Sequence, residues 1–234
     1  MTEVNVDPLE IEKFQSIASR WWDRESEFKP LHDINPLRVG YIEERVGDLS
    51  GKKILDIGCG GGILAEALAE KGAIVTGIDM AEVSLKVAKM HLHESKLEVE
   101  YIKVPAEEYA KDHAGEFDVV TCLEMLEHVP EPASIVNAAA TMLKADGQLF
   151  FSTINRNPKS FALAIIGAEY ILNMIPRGTH EYRKFIKPSE LASVIRENKL
   201  EVDDVAGMTY NPITKHYKLG RDIDVNYLMA CSAQ

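Results

Sequence analysis

Asp56, the glycines at 58, 60, 61 and 62, and Asp79 are the first residues in this chain whose types and spacing suit a bound ligand. Glycine permits backbone conformations that a β-carbon forbids, and it lets a ligand approach the main chain closely. An acidic residue about 20 positions beyond such a turn is of the kind that hydrogen-bonds ribose hydroxyls. A dinucleotide fingerprint wants Gly or Ala where Ile63 stands, and Asp56 would set a carboxylate beside a pyrophosphate. A ribose-bearing cofactor with a cationic amino-acid portion and no phosphate suits these residues better. Cys59, inside the turn and without a histidine near it in sequence, reads as a small buried residue rather than a nucleophile.

The second stretch with chemical content is Leu123-Glu-Met-Leu-Glu-His-Val-Pro130. One helical turn there puts Glu124, Glu127 and His128 on one face. Two carboxylates and an imidazole are a donor set for a divalent metal such as magnesium or zinc. The same residues also serve without a metal, with His128 as a general base. Leu123 stands at the end of a strand, where its backbone would meet a cofactor.

The elements that must position these residues follow from the pattern. Ile54 to Ile57, the glycine turn, a helix from Ile63 to Glu70 and a strand from Ile74 to Ile78 make a βαβ unit with parallel strands. A helix from Glu82 to about His93, a strand from Val99 to Val104 and an apolar strand from Phe117 to Cys122 continue the alternation. The continuous apolar character of that last strand predicts a central place in the sheet. A helix from about Ala133 to Leu143, strands at Gln148–Ile154, Leu200–Val205 and Val225–Ala230, and a helix from Pro188 to Arg196 complete the pattern. Ile11, Phe14, Ala18 and Trp21 recur at helical spacing near the N-terminus. Asn35-Pro36 reads as an N-cap followed by proline at the first helical position, which would place Arg38 in a first turn. His91 and His93 read as solvated residues of a helix end, and 210–214 as a loop beside an acceptor pocket.

With 234 residues, 46% hydrophobic and 27% charged, the chain suits one globular domain with an N-terminal extension. We place the helical extension, a lid, at 1–47 and the main domain at 48–234, with an apolar insertion at about 156–187. A net charge of −11 argues against general nucleic-acid binding. Residues 156–187 nevertheless carry six basic side chains against two acidic ones, around the apolar stretch 161–175. As a helix that stretch would reach about 22 Å, short of the ~30 Å hydrocarbon core of a bilayer. It therefore suits a helix lying in an anionic membrane interface rather than a span. Three cysteines without a C-x-x-C pair fit a reducing compartment, and residues 1–20 hold no uninterrupted apolar core. The expected location is cytoplasmic, peripherally at the inner face of the membrane.

Asp56-Ile-Gly-Cys-Gly-Gly-Gly62 followed by Gly77-Ile-Asp79 resembles the first two motifs of the class I S-adenosylmethionine-dependent methyltransferases. RWWD, EFKPLHDINPLR, LDIGCGGGILAE, DVVTCLEMLEHVPEP, FFSTINRN, GAEYIL, FIKP, YNPIT and DVNY together resemble the ubiquinone-biosynthesis O-methyltransferases over nearly the whole chain. The resemblance implies a Rossmann-like α/β fold: seven mostly parallel strands with an antiparallel last strand, and helices on both faces. It implies S-adenosylmethionine as cofactor, met by Arg38, Asp56, Gly58, Gly60, Asp79 and Leu123. The implied acceptor is a polyprenylated phenol or catechol, and other quinone-biosynthesis proteins are implied as partners. In mitochondrial relatives the residues matching Glu124, Glu127 and His128 are associated with a divalent ion. Two further readings use the same residues: an O-methyltransferase for another small acceptor, and a non-enzymatic cofactor-binding subunit of a membrane-associated complex.

Overall fold

The structure is a computed structural model that describes residues 5–163 and 181–233. Two helices open the chain, α1 (Pro8–Ile17) and α2 (Lys29–Val46), with a 3-10 turn at Ala18–Arg20 between them. Strands and helices then alternate: β1 (Lys53–Ile57), α3 (Ile63–Ala69), β2 (Ile74–Asp79), α4 (Glu82–Ser95), β3 (Val99–Lys103), α5 (Ala106–Tyr109) and β4 (Phe117–Leu123). A 3-10 turn at Leu126–His128, α6 (Pro132–Met142), β5 (Leu143–Ile154) and the short α7 (Pro158–Ser160) follow. The chain ends with α8 (Pro188–Glu197), β6 (Leu200–Asn211), β7 (His216–Gly220) and β8 (Asn226–Ala233).

The strands form one sheet in the order β3-β2-β1-β4-β5-β8-β6-β7. Pairs from β3 across to β5 are parallel, whereas β8 is antiparallel to both β5 and β6, and β7 is antiparallel to β6. The apolar runs of β1 and β4 are buried almost throughout because helices cover both faces, which is why they do not alternate with polar residues. One core packs α5, α6 and α8 against the sheet through residues such as Tyr109, Ile135 and Leu191. The other packs α2, α3 and α4 through Ile42, Leu68 and Leu85. The chain leaves β1 toward β2 on one side and leaves β4 toward β5 on the other, so a crevice opens at their carboxyl ends.

The sheet has eight strands rather than seven. The extra strand, β7, pairs with the extended end of β6, and the 210–214 segment becomes the end of β6 and its hairpin turn. His216–Gly220 alternates, with Tyr217 and Leu219 half-buried against the core and the residues between them exposed, but two apolar residues in a five-residue run are too short a signal to stand out in the sequence. Asn35-Pro36 does not start a helix either. Lys29-Pro30 supplies the proline near the start of α2, and Pro36 lies inside that helix. Asn35 is buried there and donates from Nδ2 to the Ile63 carbonyl at 3.0 Å, which ties α2 to the start of α3. No helix among the described residues is long and apolar enough to cross a membrane. Most of the apolar stretch 161–175 lies outside the described residues.

Candidate active site

The glycine turn after β1 forms one wall of a cavity of about 960 Å³ at the crevice. Gly58 and Gly60 have φ of +73° and +52°, in the left-handed region that side chains disfavour. A β-carbon on Gly58 would lie 2.5 Å from Met125 Cγ, and one on Gly60 would lie 2.6 Å from the Trp21 ring. The turn is held by Asp79 at the end of β2, whose two oxygens accept from the Gly60 and Ala81 N–H groups at 2.8 and 2.7 Å. Burial pushes the Asp79 carboxyl above its usual range, against these backbone donors. Asp56 accepts from Thr121 Oγ1 at 2.7 Å, and burial pushes it to about 7 although Thr121 and Arg38 oppose the shift.

Arg38 enters the same cavity from the middle of α2, 5% exposed. Its Nε and Nη2 lack hydrogen-bond partners among the described residues, and its closest anion, Glu124 Oε1, is 3.5 Å from Nη2. A buried guanidinium with free donors is costly unless a ligand supplies an acceptor. A cofactor with a carboxylate would do so, and Arg38, Gly58 and Gly60 line one cavity where it could sit. These residues fit an amino-acid nucleoside cofactor.

The turn after β4 forms the facing wall. Glu124 has a φ of +54°, so the segment is not a regular helical turn and the three candidate ligands do not share a helix face. Glu124 N donates to Ser152 O and Oγ, while its carboxylate accepts from Ser152 Oγ at 2.7 Å and from Asn226 Nδ2 at 3.0 and 2.9 Å. Glu127 accepts from Thr153 Oγ1 at 2.7 Å; burial, reinforced by the charge of Glu124, pushes it to about 7. His128 bonds through Nδ1 to Glu10 of α1 at 2.9 Å. Each of the three is held by a different partner, His128 through Nδ1 alone, and the described residues hold no group of three His, Cys, Asp or Glu set to bind a metal ion. As they stand, these side chains do not fit a three-ligand metal centre.

The N-terminal segment roofs the cavity, and here the sequence patterns were least informative. Trp21 stacks on Phe28 with centroids 3.9 Å apart and donates from Nε1 to Ser84 Oγ at 3.1 Å. Such a stack adds about 0.5–1.5 kcal/mol beyond the area it buries. Trp22 donates to the Gly61 carbonyl at 3.0 Å and stacks on His91 at 3.4 Å. His91 is therefore no solvated helix end; its Nδ1 meets the buried Glu66 carboxylate at 2.8 Å. Burial would push Glu10 up, but His128, Lys13 and Lys184 outweigh it and hold the carboxyl at about 2. Arg38, Asp56, Gly58, Gly60, Asp79, Leu123, Glu124, Glu127 and His128 all line this one cavity, as do Tyr210 and Pro212. Pattern reasoning missed Glu10 and Trp21 as lining of the cavity, and Trp22 and Asn35 as braces of the glycine turn and the start of α3, because they meet groups far away in sequence.

The family model described as a methyltransferase domain matches residues 37–205. A ubiquinone biosynthesis O-methyltransferase of Pseudomonas aeruginosa is 64% identical over 225 residues, 96% of this chain and 97% of that protein. The chain belongs to the ubiquinone biosynthesis O-methyltransferases. It is an enzyme that methylates oxygen and depends on S-adenosylmethionine. A protein of the same name from Marinobacter nauticus is 64% identical over 98% of this chain and 97% of its own length. Among solved structures, magnesium protoporphyrin IX methyltransferase from Synechocystis PCC 6803, with bound S-adenosylmethionine, matches with a TM-score of 0.66 over 100% of both chains at 17% identity. At that identity the likeness speaks for the fold alone.

Proposed function

We propose that the enzyme methylates a hydroxyl of a polyprenylated phenol or catechol in ubiquinone biosynthesis, with His128 as the base. The observation that carries this reading is the meeting of two kinds of residue around one cavity. Arg38, Asp56, Gly58, Gly60 and Asp79 suit a cofactor on one side, and His128 stands across from them at the turn after β4. Asp79 and the backbone at Gly60 take the ribose; Asp56 and Gly58 take the cationic amino-acid end; Arg38 takes its carboxylate. The Leu123 backbone completes that wall.

When bound, S-adenosylmethionine supplies a methyl carbon made electrophilic by its positive sulfur and leaves as the neutral thioether. His128, lining the same cavity, would accept the proton of the phenolic hydroxyl that the methyl group replaces. Residues lining one cavity from both turns would hold the two reactants next to each other, the kind of positioning that lowers the barrier of a bimolecular step. The apolar roof from α1 and the Trp21 segment excludes water. Glu124 and Glu127 act as structure in this reading, and no step passes through a metal.

A prenylated acceptor resides in a bilayer, so the enzyme must reach it there. Peripheral contact through 156–187 is supported by the basic excess of that stretch and by Phe161 and Leu163 at its described edge, 42% and 52% exposed. The reading also puts the enzyme at the inner face of the membrane, with residues 1–47 as its lid. Mass-resolved methyl transfer from S-adenosylmethionine to a short-prenyl catechol tests the activity, with and without chelator and with added magnesium or zinc. Product of equal yield in all samples is expected. Loss with chelator and return with metal would instead draw Glu124, Glu127 and His128 together as ligands. Sedimentation with anionic vesicles tests the surface: Phe161→Glu with Ile165→Glu should release the enzyme, and unchanged binding would sink membrane contact through this stretch.

A further inference from the structure

We infer that Glu10 of α1 is a positioning residue for His128, so that docking of the N-terminal helix sets the base. The inference rests on His128 serving as that base. Glu10 Oε2 lies 2.9 Å from His128 Nδ1. A carboxylate held ionised can only accept, so Nδ1 must carry the proton there. In the neutral ring the lone pair is then on Nε2, which bonds to no described protein group. His128 lines the cavity, and Nε2 is the nitrogen left for the acceptor's hydroxyl.

The rest of the geometry fits this role. Phe14, one turn along α1 from Glu10, meets the imidazole edge-on with centroids 5.1 Å apart and planes at 88°, which limits its rotation. Lys184 Nζ binds Glu10 Oε1 at 3.2 Å and Asp7 Oδ2 at 3.1 Å, fixing both the carboxylate and the start of the helix. Glu10 and His128 are 118 positions apart, and nothing else ties the imidazole nitrogens among the described residues. The helix α1 itself has no buried residue. Its seat combines these polar contacts with the half-buried Phe14 and Ile17, which pack on the Trp21–Phe28 cluster rather than in the main core, so it should open locally at lower cost than the buried elements. A closing element that completes the catalytic set on docking ties chemistry to closure.

The test uses the full chain with Glu10→Leu, Glu10→Gln and His128→Gln, each checked by thermal melt. The readouts are the tautomer of His128 by nitrogen-15 NMR and kcat and KM for a short-prenyl catechol. Glu10→Leu should lose the single Nδ1–H tautomer, with kcat falling about 10–100-fold, the usual range for a partner that orients a functional imidazole. KM for the cofactor should change little. Glu10→Gln keeps an acceptor and should restore the tautomer and most of kcat. Wild-type tautomer and kcat in Glu10→Leu, with His128→Gln inactive, would overturn the role of Glu10 alone. Equal losses in Glu10→Leu and Glu10→Gln with the tautomer unchanged would also overturn it, because they would mark a structural effect. Full activity in His128→Gln would remove the base and this inference with it.

Discussion

The turns after β1 and β4 leave adjacent parallel strands at the same edge of the sheet, yet they hold their acidic residues differently. Asp79 is bonded to backbone N–H groups of its own βαβ unit, at Gly60 and Ala81. Glu124, Glu127 and His128 are bonded to side chains from β5, from β8 and from α1. The first turn is a product of local chain, with glycine at each position of positive φ. The second carries a positive φ on Glu124, a conformation that persists only when its surroundings enforce it. The glycine turn of the cofactor side can thus be shaped within one unit of chain, with Arg38 of α2 added to it, whereas the acceptor side is assembled from the whole domain.

The largest test of this contrast is Asp79→Ala. It removes two charge-assisted hydrogen bonds that shape the glycine turn, each worth about 1.5–3 kcal/mol. Affinity for S-adenosylmethionine, measured by calorimetry, should fall by two to four orders of magnitude on the scale of ~1.4 kcal/mol per tenfold. A loss below about threefold would show that the turn holds its shape without Asp79 and would erase the distinction.

The same contrast explains what was legible. The glycine turn, Asp56 and Asp79 announce themselves because their spacing is short and each residue type has one strong conformational or hydrogen-bonding reason to be there. The central strands β1 and β4 were readable as apolar runs because burial on both faces leaves no alternating pattern. Asn35 misled because N-cap chemistry and a buried interior bond to Ile63 use the same side chain, and only the packing of α2 on α3 chooses between them. His91 misled because its partners, Trp22 and Glu66, come from other elements. Glu10 carried no signal at all, since an acidic residue in a first helical turn is explained locally by the helix dipole.

A pH experiment sharpens the comparison on the cofactor side. Asp56 titrates near 3.8 when unfolded and at about 7 in the cofactor-free fold, because burial outweighs Thr121 and Arg38. Between those values the unfolded chain has lost a proton that the folded chain keeps, so stability should fall as pH rises through the window, by about 4 kcal/mol in order of magnitude. Below it the group costs nothing. Asp56→Asn should flatten that part of the curve in urea melts and gain stability at pH 8 relative to wild type; Glu127, shifted the same way, keeps the remainder. A cationic ligand beside Asp56 should favour its ionised form, so the decline should shrink and end at a lower pH. An identical pH dependence in wild type and Asp56→Asn would mean that the carboxylate is ionised in the fold.

The smallest effect belongs to the acceptor side and tests whether its supports act together. Asn226 Nδ2 reaches both oxygens of Glu124, and Ser152 Oγ shares one of them. Asn226→Leu keeps the volume but removes a donor from a largely buried carboxylate, a loss of about 1–2 kcal/mol. For a domain of this size that lowers Tm by about 2–8 °C. Ser152→Ala should cost a similar amount. Because both act on one carboxylate held in a strained backbone, the double variant should lose less or more than the sum, by at least ~0.5 kcal/mol. Strict additivity would mean that Glu124 is held by independent contacts, and the turn after β4 would then be as locally built as the turn after β1.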